Sequence, residues 1–178
     1  MNSGSKIVIL ASRLQRIIAF GLDVILIALL SGTILVKFIQ PHYFPEAFRQ
    51  MHFEILALSN SEALNIEAIT NLTLKPQYQT MTEFTSIFTF LMFWAYFFLS
   101  EYFMNGSSLG KCVFRLRTID ITTLETPSTL LCFLRAGTKT LSLLVLFPFL
   151  LVNYLIFFFT KNNRAVHDLL NSTIVIHE

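Results

Sequence analysis

Long apolar runs separated by short polar segments dominate the pattern along the chain. Residues 17–39 form a 23-residue run whose only charges are Asp23 and Lys37. About 20 such residues cross a hydrocarbon core, so this run predicts a first membrane span. Ser12 followed by Gln15 has the spacing of a capping box and predicts a helix start just before Arg13. A cleaved signal peptide fits less well, because the run is too long, contains an acid and lacks a small-residue cleavage site. Residues 84–103 predict a second span, with ten aromatics in twenty positions and Glu101 as the only charge. Aromatics this dense anchor and pack a helix without implying a cofactor.

The third apolar region, 130–159, is less simple, since Arg135 and Lys139 lie in its first third and Pro148 interrupts it. It reads either as an interfacial amphipathic helix leading into one kinked span or as a hairpin of two short helices. Two period-two segments, 113–121 and Thr173–His177, read as strands that pair with each other. Within 40–83, the stretches 45–58 and 61–70 predict short amphipathic helices. The expected fold is therefore an all-α membrane protein. It is a small transmembrane helical bundle with a minor cytoplasmic β element, in one domain over 1–178.

Composition agrees with this reading and narrows it. The chain has 178 residues, of which 54% are hydrophobic and 13% charged, too few polar groups to cover a soluble domain. A net charge of +2 gives no reason to expect a nucleic-acid partner. Cys112 and Cys132 form no CxxC pair and no disulfide framework. Residues 1–16 carry Lys6, Arg13 and Arg16 without an acid, and 104–139 is also basic, so both are expected on the cytoplasmic side. The connector 40–83 holds Glu46, Glu54, Glu62, Glu67 and Glu83 against Arg49 and Lys75, so it is expected outside. If the two strands pair, they share a compartment, which favours a cytoplasmic C-terminus and a third region that enters and returns. A multi-pass protein of the cytoplasmic membrane follows, with the lipid bilayer as its first partner.

Few residues carry candidate chemistry. An acid near the middle of a membrane helix costs about 2.5–3.5 kcal/mol on insertion scales, which singles out Asp23. Arg16 lies two helical turns earlier on the same face and is the expected modulator of Asp23. If the first two spans run antiparallel, Glu101 reaches the depth of Arg16 and is expected to pair with it. Gly21, Ala28 and Gly32 form a small-residue stripe on the opposite face, a candidate contact for a homo-oligomer. The segment from Gly106 to Lys111 is no P-loop: three residues separate its glycines instead of four, and Cys112 stands where Ser or Thr is required. It reads as a turn at the membrane exit, with Lys111 among the headgroups.

Arg164 and Asp168 have the spacing of an exposed helical pair. His167 beside Asp168 lacks a nucleophile in a recognisable context, so no enzyme is expected. His42 and His52 meet no metal-site spacing, and neither metal nor cofactor is expected. Asn71-Leu-Thr73 has the form of a glycosylation sequon, relevant only in a glycosylating lumen.

Three motifs in order carry a family resemblance: Arg16-x-x-Ala19-x-x-x-Asp23, then Gly106-x-x-Leu109-Gly110-Lys111, then Arg164-x-x-His167-Asp168-Leu169-Leu170-x-x-Thr173. Together they resemble the RDD family over nearly the whole chain outside 40–83. The resemblance places the family's name-giving arginine and aspartates at Arg16, Asp23 and Asp168, and sets Arg135 where members often have an arginine. Cys112 replaces a frequent basic residue, and Asn171-Ser172 replaces a common Ala-Gly, which counts against a tight glycine turn there. What the resemblance implies for activity is transport of ions or small ligands, some members being associated with sodium/proton exchange.

The resulting expectation is a charge cluster of Arg16, Asp23, Glu101, Arg135 and Asp168 handling a monovalent cation or proton, with Asp23 titrating. The alternative is a non-transporting scaffold or assembly partner in which the same cluster is architectural.

Overall fold

A computed structural model describes residues 9–60, 66–144, 160 and 164–177. Helix α1 (Arg13–Ile34) starts where the capping box predicts: the Ser12 hydroxyl accepts from the Gln15 amide at 3.3 Å and donates to Gln15 Oε1 at 2.9 Å. It continues through a π turn (Leu35–Ile39) into α2 (Gln40–Tyr43). The widened turn falls just before Pro41, whose nitrogen has no hydrogen to give to the helical ladder. The continuous helix thus covers Arg13–Tyr43, 31 residues, and outlasts the apolar run that predicted it. Phe44 leaves helical geometry ahead of Pro45, as a residue before proline tends to do.

Helices α3 (Pro45–Asn60) and α4 (Ile66–Thr73) occupy the polar connector, and α5 (Pro76–Phe103) starts well before the second apolar run. Pro76 suits the first turn of α5, where an amide has no helical partner. A short α6 (Leu109–Val113) precedes strand β1 (Leu116–Asp120). The period-two pattern therefore started the strand too early. Arg115, at φ 53°, separates α6 from β1. Helices α7 (Thr129–Leu144) and α8 (Val166–Leu170) and strand β2 (Thr173–His177) follow. The described part is mostly helical with one small two-stranded sheet. The course of 145–159, on which the choice between a kinked span and a hairpin depends, lies outside the described residues.

The chain forms two compact units, Met1–Ile27 with Phe93–Glu178, and Ala28–Met92. In the second, Glu54 accepts from Lys75 at 2.6 Å and from the Tyr78 hydroxyl at 3.1 Å, joining α3 to the start of α5. Gln40 reaches Thr85 at 3.0 Å, and the Phe84 ring packs on Tyr43 and Phe44.

The first unit is organised by the sheet. β1 and β2 pair antiparallel with Thr118 opposite Val175 and Ile119 opposite Ile174. Leu10 adds an isolated bridge to Ile176. One face packs Leu116 and Val175 on Ala11, while the other gathers Ile119, Ile174 and Ile176. Strand residues alternate between faces, so Thr118 and Thr173 share the Leu116 face, both fully buried. Those hydroxyls need partners, and the partners define the site.

A buried charge network as candidate functional site

Arg135 is the centre of the site. It projects from α7 on the face that also carries Cys132, Ala136 and Lys139, and it is fully buried. Its Nε donates to Glu101 Oε2 at 3.1 Å and its Nη1 to Asp168 Oδ1 at 2.7 Å. Nη1 also donates to the Thr173 hydroxyl, and Nη2 reaches Thr118 Oγ1 at 3.4 Å. One planar guanidinium thus joins α5, α8 and both strands, a geometry that lysine's single nitrogen cannot reproduce.

Each acid collects further cations. Glu101 Oε1 accepts from Lys111 at 2.6 Å and from Lys139. Asp168 Oδ2 pairs with Arg16, and the same oxygen accepts from the Ala165 amide at 3.3 Å, so Asp168 also caps α8. Burial alone would raise the Asp168 pKa, but Arg16 and then Arg135 hold it well below the usual carboxylate range. Burial pushes the neighbouring His167 imidazole down to about 3, against the pull of Asp168. His167 is therefore neutral at ordinary pH, with Nε2 3.6 Å from Asp168 Oδ1.

Asp23 belongs to a neighbouring set of contacts. Its Oδ1 accepts from the Tyr96 hydroxyl at 2.6 Å and the Gly110 amide at 2.7 Å, and its Oδ2 accepts from the Ser108 hydroxyl at 2.6 Å. Ser108 in turn caps α6 by accepting from the Lys111 amide at 3.4 Å. Asp23 thus fixes α6 against α1. The contact is close enough that a Cβ on Gly110 would overlap the Ala19 carbonyl and crowd the Asp23 carboxylate. Gly106 has a different reason to be glycine: its φ is +87°, and a Cβ would strike the Thr118 carbonyl.

Several expectations from the sequence change here. Arg16, expected to modulate Asp23 and pair with Glu101, pairs with Asp168. Arg135 spans the gap to Glu101, because its longer reach from α7 meets both acids. Lys111, expected among headgroups, turns inward: besides Glu101, its Nζ donates to Thr118 Oγ1 at 2.8 Å and the Gly106 carbonyl at 3.4 Å. Arg164 and Asp168 form no exposed carboxylate pair, since Asp168 is fully buried; Arg164 Nη2 donates instead to the Asp168 backbone carbonyl at 3.1 Å. Ser172 takes a left-handed φ of 48° and keeps the tight turn into β2 without a glycine.

Of the five clustered residues read from the sequence, Arg16, Glu101, Arg135 and Asp168 meet in one network, and Asp23 lies beside it. Lys139, Thr118, Tyr96 and Ser108 also build the site and were not singled out. Lys139 had a signal, its four-residue spacing from Arg135. Tyr96 had none, being one aromatic among ten. No group of three His, Cys, Asp or Glu side chains among the described residues is placed to hold a metal ion.

A cavity of about 40 Å³ adjoins the network among Arg16, Asp23, Lys111, Arg135, Lys139 and His167. The network and Asp23 together hold four cationic side chains, Arg16, Lys111, Arg135 and Lys139, against three carboxylates, Asp23, Glu101 and Asp168, an excess of one positive charge with His167 neutral. A mostly helical chain with two helices long and apolar enough to cross a membrane, built around a buried acid–base network, defines a narrow class of protein. The sequence profile of the RDD family matches residues 10–172, and the chain belongs to that family. No curated protein and no solved structure is similar enough to the chain to count as a match.

Proposed function

We propose that the chain is a multi-pass protein of the cytoplasmic membrane in which the buried network handles an ion in exchange with a proton. Membrane residence draws support from α1 and α5. Only 22% and 11% of their most apolar stretches are buried, whereas the core helix of a soluble protein would be largely covered. Leu22, Ile25, Leu26, Leu29 and Leu30 on α1 and Ile87 and Leu91 on α5 instead face outward. The basic N-terminus and the acidic 40–83 connector favour a cytoplasmic N-terminus. In that orientation the network sits at the cytoplasmic ends of both helices.

Ion handling rests on one observation: seven largely buried ionisable side chains lie in or beside one network that adjoins a cavity of about 40 Å³, with one cation in excess. Buried ion pairs contribute little net stability, since desolvation offsets their attraction, so stability alone gives little reason to bury so many. Loss of the Lys139 proton lowers the local charge by one and entry of a monovalent cation restores it, which is the coupling a cation/proton exchanger needs. Asp23 is a poor cation ligand on this reading, because three hydrogen-bond donors already occupy its two oxygens, and its part is to position α6. Open space beside Gly21 and Gly32 leaves room for a second copy along α1.

The second reading, a scaffold, draws on the full pairing of Glu101 and Asp168, which also describes a purely architectural clasp. Proteoliposomes holding the full chain and an internal pH dye separate the two. Proton flux driven by a sodium, potassium or chloride gradient, lost in Lys139→Met at equal amounts of folded protein, is expected. Flux no greater than in empty vesicles under all three gradients would overturn the exchanger and leave the scaffold.

A further inference from the structure

Among the described residues, Lys139 is a buried cation whose hydrogen bonding is incomplete. Its side chain is 5% exposed, and its ammonium, with three donors, has one acceptor, Glu101 Oε1. The remaining contact is the Phe97 ring, 5.4 Å from Nζ to centroid. Lys111, sharing the same Glu101 oxygen, fills all three of its donors. Lys139 thus lines the cavity with two N–H groups unmatched among the described residues, an arrangement normally costly for a buried charge.

The charge count gives the same indication. Arg16, Lys111, Arg135 and Lys139 outnumber Asp23, Glu101 and Asp168 by one, and all seven side chains are largely removed from solvent. We propose that the cavity binds one small monovalent inorganic anion of halide size, held by the free donors of Lys139. The positive potential of Arg16, Lys111 and Arg135 favours it. Asp23 is the one carboxylate lining the cavity, and its charge is offset by donors from Tyr96, Ser108 and Gly110. A buried water needs only about 10–15 Å³ of such space, so a cavity of about 40 Å³ admits a monatomic anion. The bound anion neutralises the network and completes the Lys139 ammonium. This inference does not depend on transport, because a structural counter-ion would satisfy the same charge.

The test uses the purified full chain in detergent, with chloride replacing gluconate at constant ionic strength. Equilibrium binding of radioactive chloride and the thermal unfolding midpoint are both measured. Saturable binding of one chloride per chain, displaced by bromide and matched by a rise in the midpoint, is expected. Lys139→Met should lose at least tenfold in chloride affinity and should no longer respond to the change of anion. Lys139→Gln serves the same purpose if the methionine variant does not fold. Absence of saturable chloride binding to the folded wild-type chain overturns the inference, as does unchanged affinity in the neutral variants.

Discussion

Asp168→Asn is the substitution that most directly probes the network. The amide matches the carboxylate in shape, so packing is kept while one negative charge is removed. Arg16 and Arg135 both donate to this side chain, and Asp168 and Arg135 are each fully buried. Removing one partner of a buried pair leaves the other charge desolvated and costs about 3–5 kcal/mol. Such a loss enlarges the open population by about two to three and a half orders of magnitude, at 1.4 kcal/mol per factor of ten.

Cys132 offers the assay. It is buried on the Arg135 face of α7, with its thiol 3.6 Å from the Pro127 carbonyl, whereas Cys112 is exposed. In a Cys112→Ser background, maleimide labelling of Cys132 reports opening of α7. Asp168→Asn should speed labelling by at least a hundredfold under conditions where opening limits it through its equilibrium population. Asp120→Asn is the control, because the Asp120 carboxylate accepts from the Thr122 amide at 2.7 Å in a local turn and touches none of the network's cations among the described residues. Labelling in Asp168→Asn no faster than in the control would refute the claim that Asp168 joins the sheet and α8 to α7.

Three further outcomes follow from the same geometry. His167 takes up a proton near 6.5 when unfolded and near 3 when folded, so its contribution to stability is present above pH 6.5 and lost as pH falls from there. Asp168, held below its unfolded value near 3.8, adds a further loss at still lower pH. Midpoints measured from pH 8 to 4 should fall below 6.5, and His167→Gln should flatten that fall. Gly110→Ala should cost about 1–3 kcal/mol or more through overlap with the Ala19 carbonyl. By contrast, Gly21→Ala meets nothing within 4 Å and should raise stability by about 0.5–1 kcal/mol; chemical denaturation compares the two. Ser172→Gly should stabilise by about 1 kcal/mol, since the serine side chain is exposed and its left-handed φ is strained. An unchanged or lowered denaturation midpoint in that variant would count against the strain.

What the sequence determined by itself was periodic and local. Apolar runs of 23 and 20 residues marked α1 and α5, the Ser12/Gln15 spacing marked the helix start, and alternation marked the two strands. These signals are legible because side chains repeat every 3.6 or 2 residues whatever the tertiary fold does. The left-handed Arg115 blurred the start of β1, and the π turn carried α1 past its apolar run, because backbone geometry at single residues overrides periodicity. The partners of the charges were decided only by tertiary structure. A charge is recorded in sequence, but the acid it meets depends on how α5, α7, α8 and the sheet converge. Arg16 therefore pairs with Asp168, 152 positions away, and not with Asp23 seven residues along its own helix. Lys139 acquires its unmatched donors for the same reason: once α7 carries its charged face inward, Glu101 is the one acceptor among the described residues within its reach.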